Sequence, residues 1–122
     1  MKTILVIEDE EAIIDLLTML LADEGYQVIT ARNGLEGLTR LGETLPTLIL
    51  CDVMMPVMNG LEFCQAVQNN EQYQAIPIIL MSAVGQKIRR DGCPTAAFLE
   101  KPFDLDQLLN LVINVIRSTA SQ

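Results

Sequence analysis

The sequence predicts an α/β fold: a doubly wound, five-stranded parallel sheet with helices on both faces. Short apolar runs rich in β-forming residues alternate along the chain with segments whose apolar residues recur at helical spacing. Five strand-like runs occur, and strands that alternate with helices form parallel sheets with right-handed crossovers. No linker, repeat or low-complexity segment divides the chain, so we expect one domain over residues 1–122.

The first half of the chain contains two strand–helix pairs. Residues 3–7 form a continuous apolar strand, and Gly25 is placed to end the helix that follows it. A second strand over residues 26–31 turns through Asn33 and Gly34 into a second helix. The residues expected to face the core are Ile13, Leu16, Leu17, Leu20 and Leu21 in the first helix, and Leu35, Leu38 and Leu41 in the second.

The third strand begins at Leu48 and is an apolar run that ends in a single carboxylate, Asp52. Buried strands rarely carry an aspartate for packing, because burying an unpaired carboxylate costs several kcal/mol. At the carboxyl end of a parallel strand, the same residue would face the crevice where open α/β sheets hold their ligands. The alternative is that Asp52 only initiates the turn that follows the strand.

The second half of the chain continues the alternation of helices and strands. A helix over residues 61–69 precedes a fourth strand over residues 76–81, which ends at Ser82. A fifth strand over residues 96–100 ends at Lys101.

The last two helices differ in the strength of their patterns. The segment between Ala83 and Ala96 has few apolar positions and a Gly-Cys-Pro break, so we expect a short or irregular fourth helix. Asp104 is suited to cap the final helix. The apolar stripe of that helix is Leu105, Leu108, Leu109, Val112, Val115 and Ile116.

Composition excludes several functions. The chain has 8 basic and 16 acidic residues and a net charge of −8, which argues against binding nucleic acid through its phosphates. Absence of histidine excludes Ser-His and Cys-His pairs, His-ligated zinc and an internal phosphohistidine. No apolar run reaches the ~20 residues of a membrane span, and no secretory leader is recognisable, so we expect a cytoplasmic protein without membrane contact. Three cysteines, an odd number, suit a reducing compartment.

Polar side chains follow four of the five predicted strands. The carboxyl ends of parallel strands share one edge of the sheet, so Glu8, Asp9, Asp52, Ser82 and Lys101 should converge there. Two carboxylates about 5 Å apart repel by roughly 3 kcal/mol at an effective dielectric of about 20. One lysine cannot balance three carboxylates, whereas a hard divalent cation can. Oxygen-only ligands favour Mg²⁺, with Mn²⁺ as a possible substitute.

Such a site suits transfer of a phosphoryl group. Asp52 beside a divalent cation is a carboxylate nucleophile that can accept a phosphoryl group as an acyl phosphate. The metal and Lys101 would neutralise the transferring oxygens, and the Ser82 hydroxyl would donate a hydrogen bond to them.

Over essentially its whole length the chain resembles the receiver domains of two-component response regulators, the chemotaxis regulator CheY among them. Residues 6–10 resemble the acidic-pair motif of that family, and residues 52–60 its phosphoacceptor segment. Residues 81–83 match the hydroxyl motif and residues 101–103 the lysine motif. The resemblance also implies the strand order 2-1-3-4-5.

The resemblance implies a role for each acidic residue. Asp52 would be the phosphorylation site. Asp9, Asp52 and the backbone carbonyl of Met54 would bind Mg²⁺ directly. Glu8, where the family more commonly has Asp, would act on the metal through water.

The resemblance also assigns the residues that respond to the phosphoryl group. Lys101 would pair with that group, and the peptide bond between Lys101 and Pro102 is expected to be cis. Ser82 and Phe98 would form a switch pair, in which the hydroxyl moves toward the phosphoryl group and the aromatic ring turns inward.

The function expected from this resemblance is a phosphorylation-activated signalling switch. A sensor histidine kinase or phosphotransfer protein would supply the phosphoryl group, and the domain would catalyse its own modification without acting on free substrates. A downstream protein, or a second copy in a homodimer, would contact the face formed by the fourth helix, the fifth strand and the last helix. The segment between Ser82 and Lys101 is about three residues shorter than the family pattern, which bears on that face.

Three alternatives remain open at the level of sequence. A flavodoxin-like flavin protein would need a hydroxyl- and glycine-rich phosphate loop where this chain has four consecutive acidic residues. A phosphohydrolase commonly has a second Asp two residues after the nucleophile, where this chain has Met54. A degenerate receiver would bind partners without being phosphorylated.

Overall fold

Residues 2–83 and 95–120 are described by the structure, a computed structural model of the chain. Five strands form one parallel sheet in the order β2-β1-β3-β4-β5, which confirms the predicted fold class and strand order. The strands are β1 (Thr3–Ile7), β2 (Gln27–Ala31), β3 (Leu48–Asp52), β4 (Ile78–Ala83) and β5 (Ala97–Lys101).

The described part of the chain contains four helices. They are α1 (Glu11–Asp23), α2 (Gly34–Glu43), α3 (Gly60–Gln68) and α4 (Leu105–Ala120). The short or irregular helix predicted between β4 and β5 lies outside the described residues, so the last helix is α4 here. None of these four helices combines the length and the apolar content that a membrane span requires.

Helices cover both faces of the sheet, as predicted for a doubly wound fold. One core cluster joins α2 and α3 to alternate residues of the strands, among them Ile7, Cys51 and Leu80. A second cluster joins α1 and α4 to the residues in between, among them Val6, Leu50 and Met81. All five residues of β3 are buried because this central strand has neighbours on both sides and helices on both faces.

The core-facing side of α2 differs from the prediction. Leu35 is 53% exposed, whereas the predicted stripe placed it in the core. Gly37 is buried instead, and a Cβ at this position would lie 2.6 Å from Ile7 Cδ1 and 3.0 Å from Phe63 Cε1. The helix therefore approaches the sheet through a glycine, a contact that a pattern of large apolar residues cannot reveal.

The core-facing side of α1 is also rotated relative to the prediction. Leu16 is 40% exposed, whereas Ile14, which the predicted stripe omitted, is buried together with Leu17 and Leu21. The spacing of the three buried residues is helical, so the period was correct. Several adjacent apolar residues made the choice of face ambiguous.

The strands β4 and β5 extend further toward their carboxyl ends than predicted. β4 begins at Ile78, after Pro77, which has no amide hydrogen for the ladder. In the ladder between the two strands, Ser82 pairs with Glu100 and Ala83 pairs with Lys101. The predicted hydroxyl and lysine residues therefore lie within the sheet, where regular pairing fixes the positions of their backbones.

Candidate functional site

The predicted site residues lie at one edge of the sheet, at or just after the carboxyl ends of β1, β3, β4 and β5. Asp52 is the last residue of β3, and Lys101 is the last residue of β5. Glu8 follows β1 directly and donates its backbone N–H to the carbonyl oxygen of Ala31 at 3.0 Å. Glu8, Asp9 and Asp52 each offer one carboxylate oxygen within 4.8 Å of the others. The convergence predicted from the strand ends is confirmed for these carboxylates.

Lys101 connects two of the three carboxylates. Its Nζ lies 2.7 Å from Glu8 Oε1 and 3.0 Å from Asp52 Oδ1. The side chain of Lys101 is 19% exposed, while those of Glu8 and Asp52 are 0% and 8% exposed. Burial alone would lower the pKa of the Lys101 ammonium, but its hydrogen bonds to the two carboxylates, with their charges, raise that pKa overall.

Glu8 is a fully buried carboxylate with partners on both oxygens. Oε1 accepts a hydrogen bond from Lys101, and Oε2 accepts from the backbone N–H groups of Asp9 at 3.0 Å and Glu10 at 3.2 Å. Burial raises the pKa of Glu8 more than the bond to Lys101 lowers it, and the negative charge of Asp52 raises it further.

Asp52 as a whole residue is 6% exposed, and its carboxylate lies close to Lys101 and to the other two carboxylates. Burial raises the pKa of its carboxyl, the hydrogen bond and charge of Lys101 oppose this, and the charge of Asp9 adds to the rise. The pKa of Asp52 is therefore raised, so its ionised form is less favourable in the metal-free protein than that of an ordinary exposed aspartate.

Cys51 immediately precedes Asp52 in the chain, and its side chain belongs to the core cluster beneath α2 and α3. Its thiol is buried and donates a hydrogen bond to the carbonyl oxygen of Asp52 at a sulfur–oxygen distance of 3.3 Å. Burial, with the charges of Asp52 and Glu8, raises the pKa of the thiol well above its ordinary value. The thiol therefore stays protonated and is a poor nucleophile.

The donor atoms of this cluster fit a hard divalent cation. Glu8, Asp9 and Asp52 contribute only carboxylate oxygens, the ligands that Mg²⁺ and Mn²⁺ prefer in proteins. With three carboxylates and one ammonium, the cluster has a formal charge of −2 when all groups are ionised, which a divalent cation would neutralise. Asp9 is exposed, so an ion can reach the cluster from solvent.

The hydroxyl and aromatic residues predicted to form the switch pair lie on β4, which is next to the strand of Asp52, and on β5 beyond it. Ser82 is buried and is the residue after Met81, which pairs with Asp52 in the ladder. Phe98 pairs with Leu80 across β4 and β5, and its partly buried ring packs against the core cluster beneath α2 and α3. Their role as a switch pair stays a prediction.

The loop after Asp52 contains two backbone features that the sequence analysis did not identify. Val57 has a φ of 70°, and the Met58 N–H donates to the Pro56 carbonyl oxygen at 2.8 Å, closing a γ-turn around Val57. Gly60 has no room for a Cβ, which would overlap the carbonyl oxygen of Asp52. Valine rarely adopts a positive φ, so the residue type gives no sign of this turn.

Met54 and Pro102 complete the list of predicted site residues. Met54 is 63% exposed, and its backbone carbonyl as a metal ligand stays a prediction. The peptide bond between Lys101 and Pro102 is cis, as the resemblance implied.

Comparisons with known proteins agree with this geometry. The family model described as the response regulator receiver domain matches residues 4–113. DivK, a polar-differentiation response regulator of Brucella anthropi, is 32% identical over 116 residues, which cover 91% of this chain and 93% of DivK. The chemotaxis protein CheY4 of Vibrio cholerae has a solved structure that superimposes with a TM-score of 0.86 at 31% identity, over 94% of this chain and 98% of that one.

Other relatives are longer than this chain. The DNA-binding dual master transcriptional regulator RpaA of Synechocystis is 34% identical over 122 residues, which cover 98% of this chain and 51% of RpaA. The chain thus spans about half the length of some curated relatives and nearly the whole length of others.

Proposed function

This chain belongs to the receiver domain family of response regulators, the phosphorylation-activated signalling modules of two-component systems, and from that premise we propose that Asp52 is its phosphoacceptor. The observation that carries this proposal is the bridge from Lys101 Nζ to Asp52 Oδ1 at 3.0 Å and Glu8 Oε1 at 2.7 Å, beside Asp9. The bridge places a cation and a group of acidic oxygens around one nearly buried carboxylate at the end of the central strand.

In the proposed reaction an oxygen of Asp52 attacks the phosphorus atom of a phosphohistidine on a partner protein. The oxygen–phosphorus bond forms as the nitrogen–phosphorus bond breaks, and the bonding electrons leave with the imidazole. The chain contains no histidine, so this donor must be supplied by a sensor histidine kinase or a phosphotransfer protein. Lys101 lies close enough to Asp52 to contact the transferred oxygens, and the Ser82 hydroxyl would donate a hydrogen bond to them.

Mg²⁺ is the proposed cofactor, and Mn²⁺ could replace it. The carboxylates of Asp9 and Asp52 and the backbone carbonyl of Met54 would hold the ion, with Glu8 nearby. A bound divalent cation would neutralise charge on the transferring phosphoryl oxygens. Asp9 is suited to this role because its carboxylate is exposed and lies within 4.8 Å of the others.

The output of the switch is proposed to pass through Ser82 and Phe98 to the outer strand β5. Phosphorylation adds negative charge at Asp52, which would draw the Ser82 hydroxyl toward it and let the Phe98 ring turn inward. The responding surface comprises β5, α4 and the segment between β4 and β5, and a downstream protein or a homodimer would use it. A single receiver domain over residues 1–122 and a cytoplasmic location also stay predictions.

The chemical residues argue against a degenerate receiver. Such a domain would bind partners without phosphorylation and would not need an acceptor, a lysine and an acidic cluster at one place. Here Asp52, Lys101, Glu8 and Asp9 are all present and close together.

Acetyl phosphate labelling tests the proposed acceptor. With Mg²⁺ present, we expect acetyl phosphate to add the mass of one phosphoryl group to the intact protein, and Asp52→Asn to prevent it. Asp15→Asn, which removes an exposed carboxylate of α1, serves as the matched control and should be labelled like the wild type. Labelling of Asp52→Asn at the wild-type level would disprove the assignment, and labelling without Mg²⁺ would disprove the cofactor.

A further inference from the structure

We infer that Glu8 is a positioning residue, which anchors Lys101 beside Asp52 and keeps it there when the phosphoryl group arrives. Glu8 Oε1 makes the shorter of the two contacts of Lys101, at 2.7 Å against 3.0 Å for Asp52 Oδ1. This inference deepens the proposed function and rests on it for the phosphorylation step. The part of the inference that concerns the position of Lys101 in the unmodified protein does not depend on the proposed function.

The partners of Glu8 suit it for anchoring. Its side chain is 0% exposed, and three donors reach its two oxygens: Lys101 Nζ on Oε1, and the N–H groups of Asp9 and Glu10 on Oε2. The two backbone bonds hold the carboxylate against the turn between β1 and α1. Glu10, the N-cap residue immediately before α1, makes no side-chain capping bond, so the carboxylate of Glu8, which accepts a hydrogen bond from the Glu10 N–H, fixes this turn. A rigidly held carboxylate in turn limits where the Lys101 ammonium can lie.

The number of N–H donors on the Lys101 ammonium explains why Lys101 needs a second acceptor besides Asp52. An ammonium group has three N–H donors, and Glu8 and Asp52 accept two of them. The third can bond to an incoming phosphoryl oxygen. Once Asp52 carries that group as an acyl phosphate, one of its oxygens is bonded to phosphorus and the negative charge lies on the phosphoryl oxygens. The bond from Lys101 to Glu8 is the contact that this change leaves intact.

The length of the glutamate side chain matters for this arrangement. Glu8 follows β1, whereas Lys101 ends β5, and β3 and β4 lie between these two strands in the sheet. Glu8 must therefore reach the Lys101 ammonium with Oε1 while its Oε2 stays bonded to the adjacent backbone N–H groups. Aspartate, shorter by one methylene group, would have to lengthen one set of these bonds.

The first test measures how well Lys101 is held in the metal-free protein, without phosphorylation. An amine-reactive acetylating ester is added, and labelling of Lys101 is followed by peptide mass spectrometry relative to exposed Lys2. We expect Glu8→Gln to raise the labelling rate at least about threefold and Glu8→Asp to give an intermediate increase. Glu10→Gln, which removes an exposed carboxylate two residues away, should leave the rate unchanged.

The second test asks whether Glu8 acts through Lys101 during phosphorylation. Rates of labelling by acetyl phosphate at saturating Mg²⁺ are compared for Glu8→Gln, Lys101→Met and the double variant. If Glu8 acts by holding Lys101, the double variant should be within about twofold of Lys101→Met alone. A merely structural role would make the two losses multiply.

Unchanged Lys101 labelling in both Glu8 variants, or multiplicative losses in the double variant, would overturn the inference. Thermal unfolding of each variant identifies any that does not fold, and Glu8→Asp, which keeps the charge, covers a failure of Glu8→Gln. If wild-type protein were not phosphorylated on Asp52, the proposed function would fail. Lys101 labelling would still decide whether Glu8 holds the ammonium.

Discussion

Gly34 donates its backbone N–H to the carbonyl oxygen of Met58 at 2.9 Å, which joins the start of α2 to the loop that follows Asp52. The contact has no space for a side chain on the glycine. A Cβ on Gly34 would lie 2.7 Å from Met58 Cγ and 2.9 Å from the Met58 carbonyl oxygen. The loop that follows the acceptor is therefore also bonded to the start of α2.

Gly34→Ala is expected to lower the free energy of unfolding by about 1–3 kcal/mol, because the new methyl group must displace the Met58 backbone or side chain. Gly42→Ala is the matched control, since a Cβ there meets nothing within 4 Å and alanine favours a helix. Urea unfolding of both variants measures the difference. Equal stability of the two would contradict the close packing described between α2 and the loop.

Val57→Asn is expected to stabilise the protein by about 1 kcal/mol, because a β-branched residue with positive φ is strained and asparagine tolerates this conformation. Val57 has a φ of 70° and is 76% exposed, so its side chain contributes little packing that could be lost. Val57→Ala keeps a Cβ at the same φ and should gain less. The melting temperatures of the three proteins give the comparison, and a lower value for Val57→Asn would refute it.

Metal-free protein is expected to lose stability as the pH rises above the ordinary carboxyl pKa values of 3.8 for Asp and 4.5 for Glu. Folding raises the pKa of both Asp52 and Glu8, so between the ordinary and raised values the folded state binds more protons than the unfolded chain. The favourable contribution of their protonated forms is therefore present at low pH and lost as the pH rises through the folded values.

Asp52→Asn should be more stable than the wild type at neutral pH without metal, and its stability should vary less with pH in this range. Asp23→Asn, at an exposed position at the end of α1, serves as the control and should follow the wild-type profile. Chemical unfolding at a series of pH values in the presence of a chelator makes the measurement. Destabilisation by Asp52→Asn would mean that the pairing with Lys101 outweighs burial and charge repulsion.

The phosphoryl group on Asp52 is expected to be long-lived, because an apolar side chain follows two residues after the acceptor. Met54 is 63% exposed and offers no group that could orient an attacking water. Met54→Asn should therefore shorten the lifetime severalfold, while Met19→Asn, at an exposed position of α1, should leave it unchanged. The lifetime follows from the decay of the phosphorylated mass after acetyl phosphate is removed. Loss within seconds from wild-type protein would contradict the prediction.

The sequence predicted the sheet and the convergence of acidic residues because both depend on short-range signals. Apolar runs mark strands, and a carboxylate at the end of a buried strand, such as Asp52, must have a partner or a ligand. The choice of helix face was harder, since Leu35 and Leu16 are as apolar as residues in the core but lie at exposed positions.

The detailed geometry of the site depends on contacts between residues far apart in the chain. The bond between Lys101 and Glu8 joins residues 93 positions apart, and no local pattern gives its length or shows that Glu8 is fully buried. Similarly, the γ-turn at Val57 opposes the preference of its central residue. Such a conformation is imposed by surrounding structure and cannot be read from the residue itself.

The burial of all five residues of β3 has a mechanical consequence for signalling. A strand enclosed on every side exchanges its amide hydrogens only when the whole domain opens, so it cannot yield locally to a new charge at its tip. The structural response to phosphorylation must then occur in another element of the fold. In the described part of the sheet, β5 has a neighbour on one side only, which makes it a freer element than the strand that receives the charge.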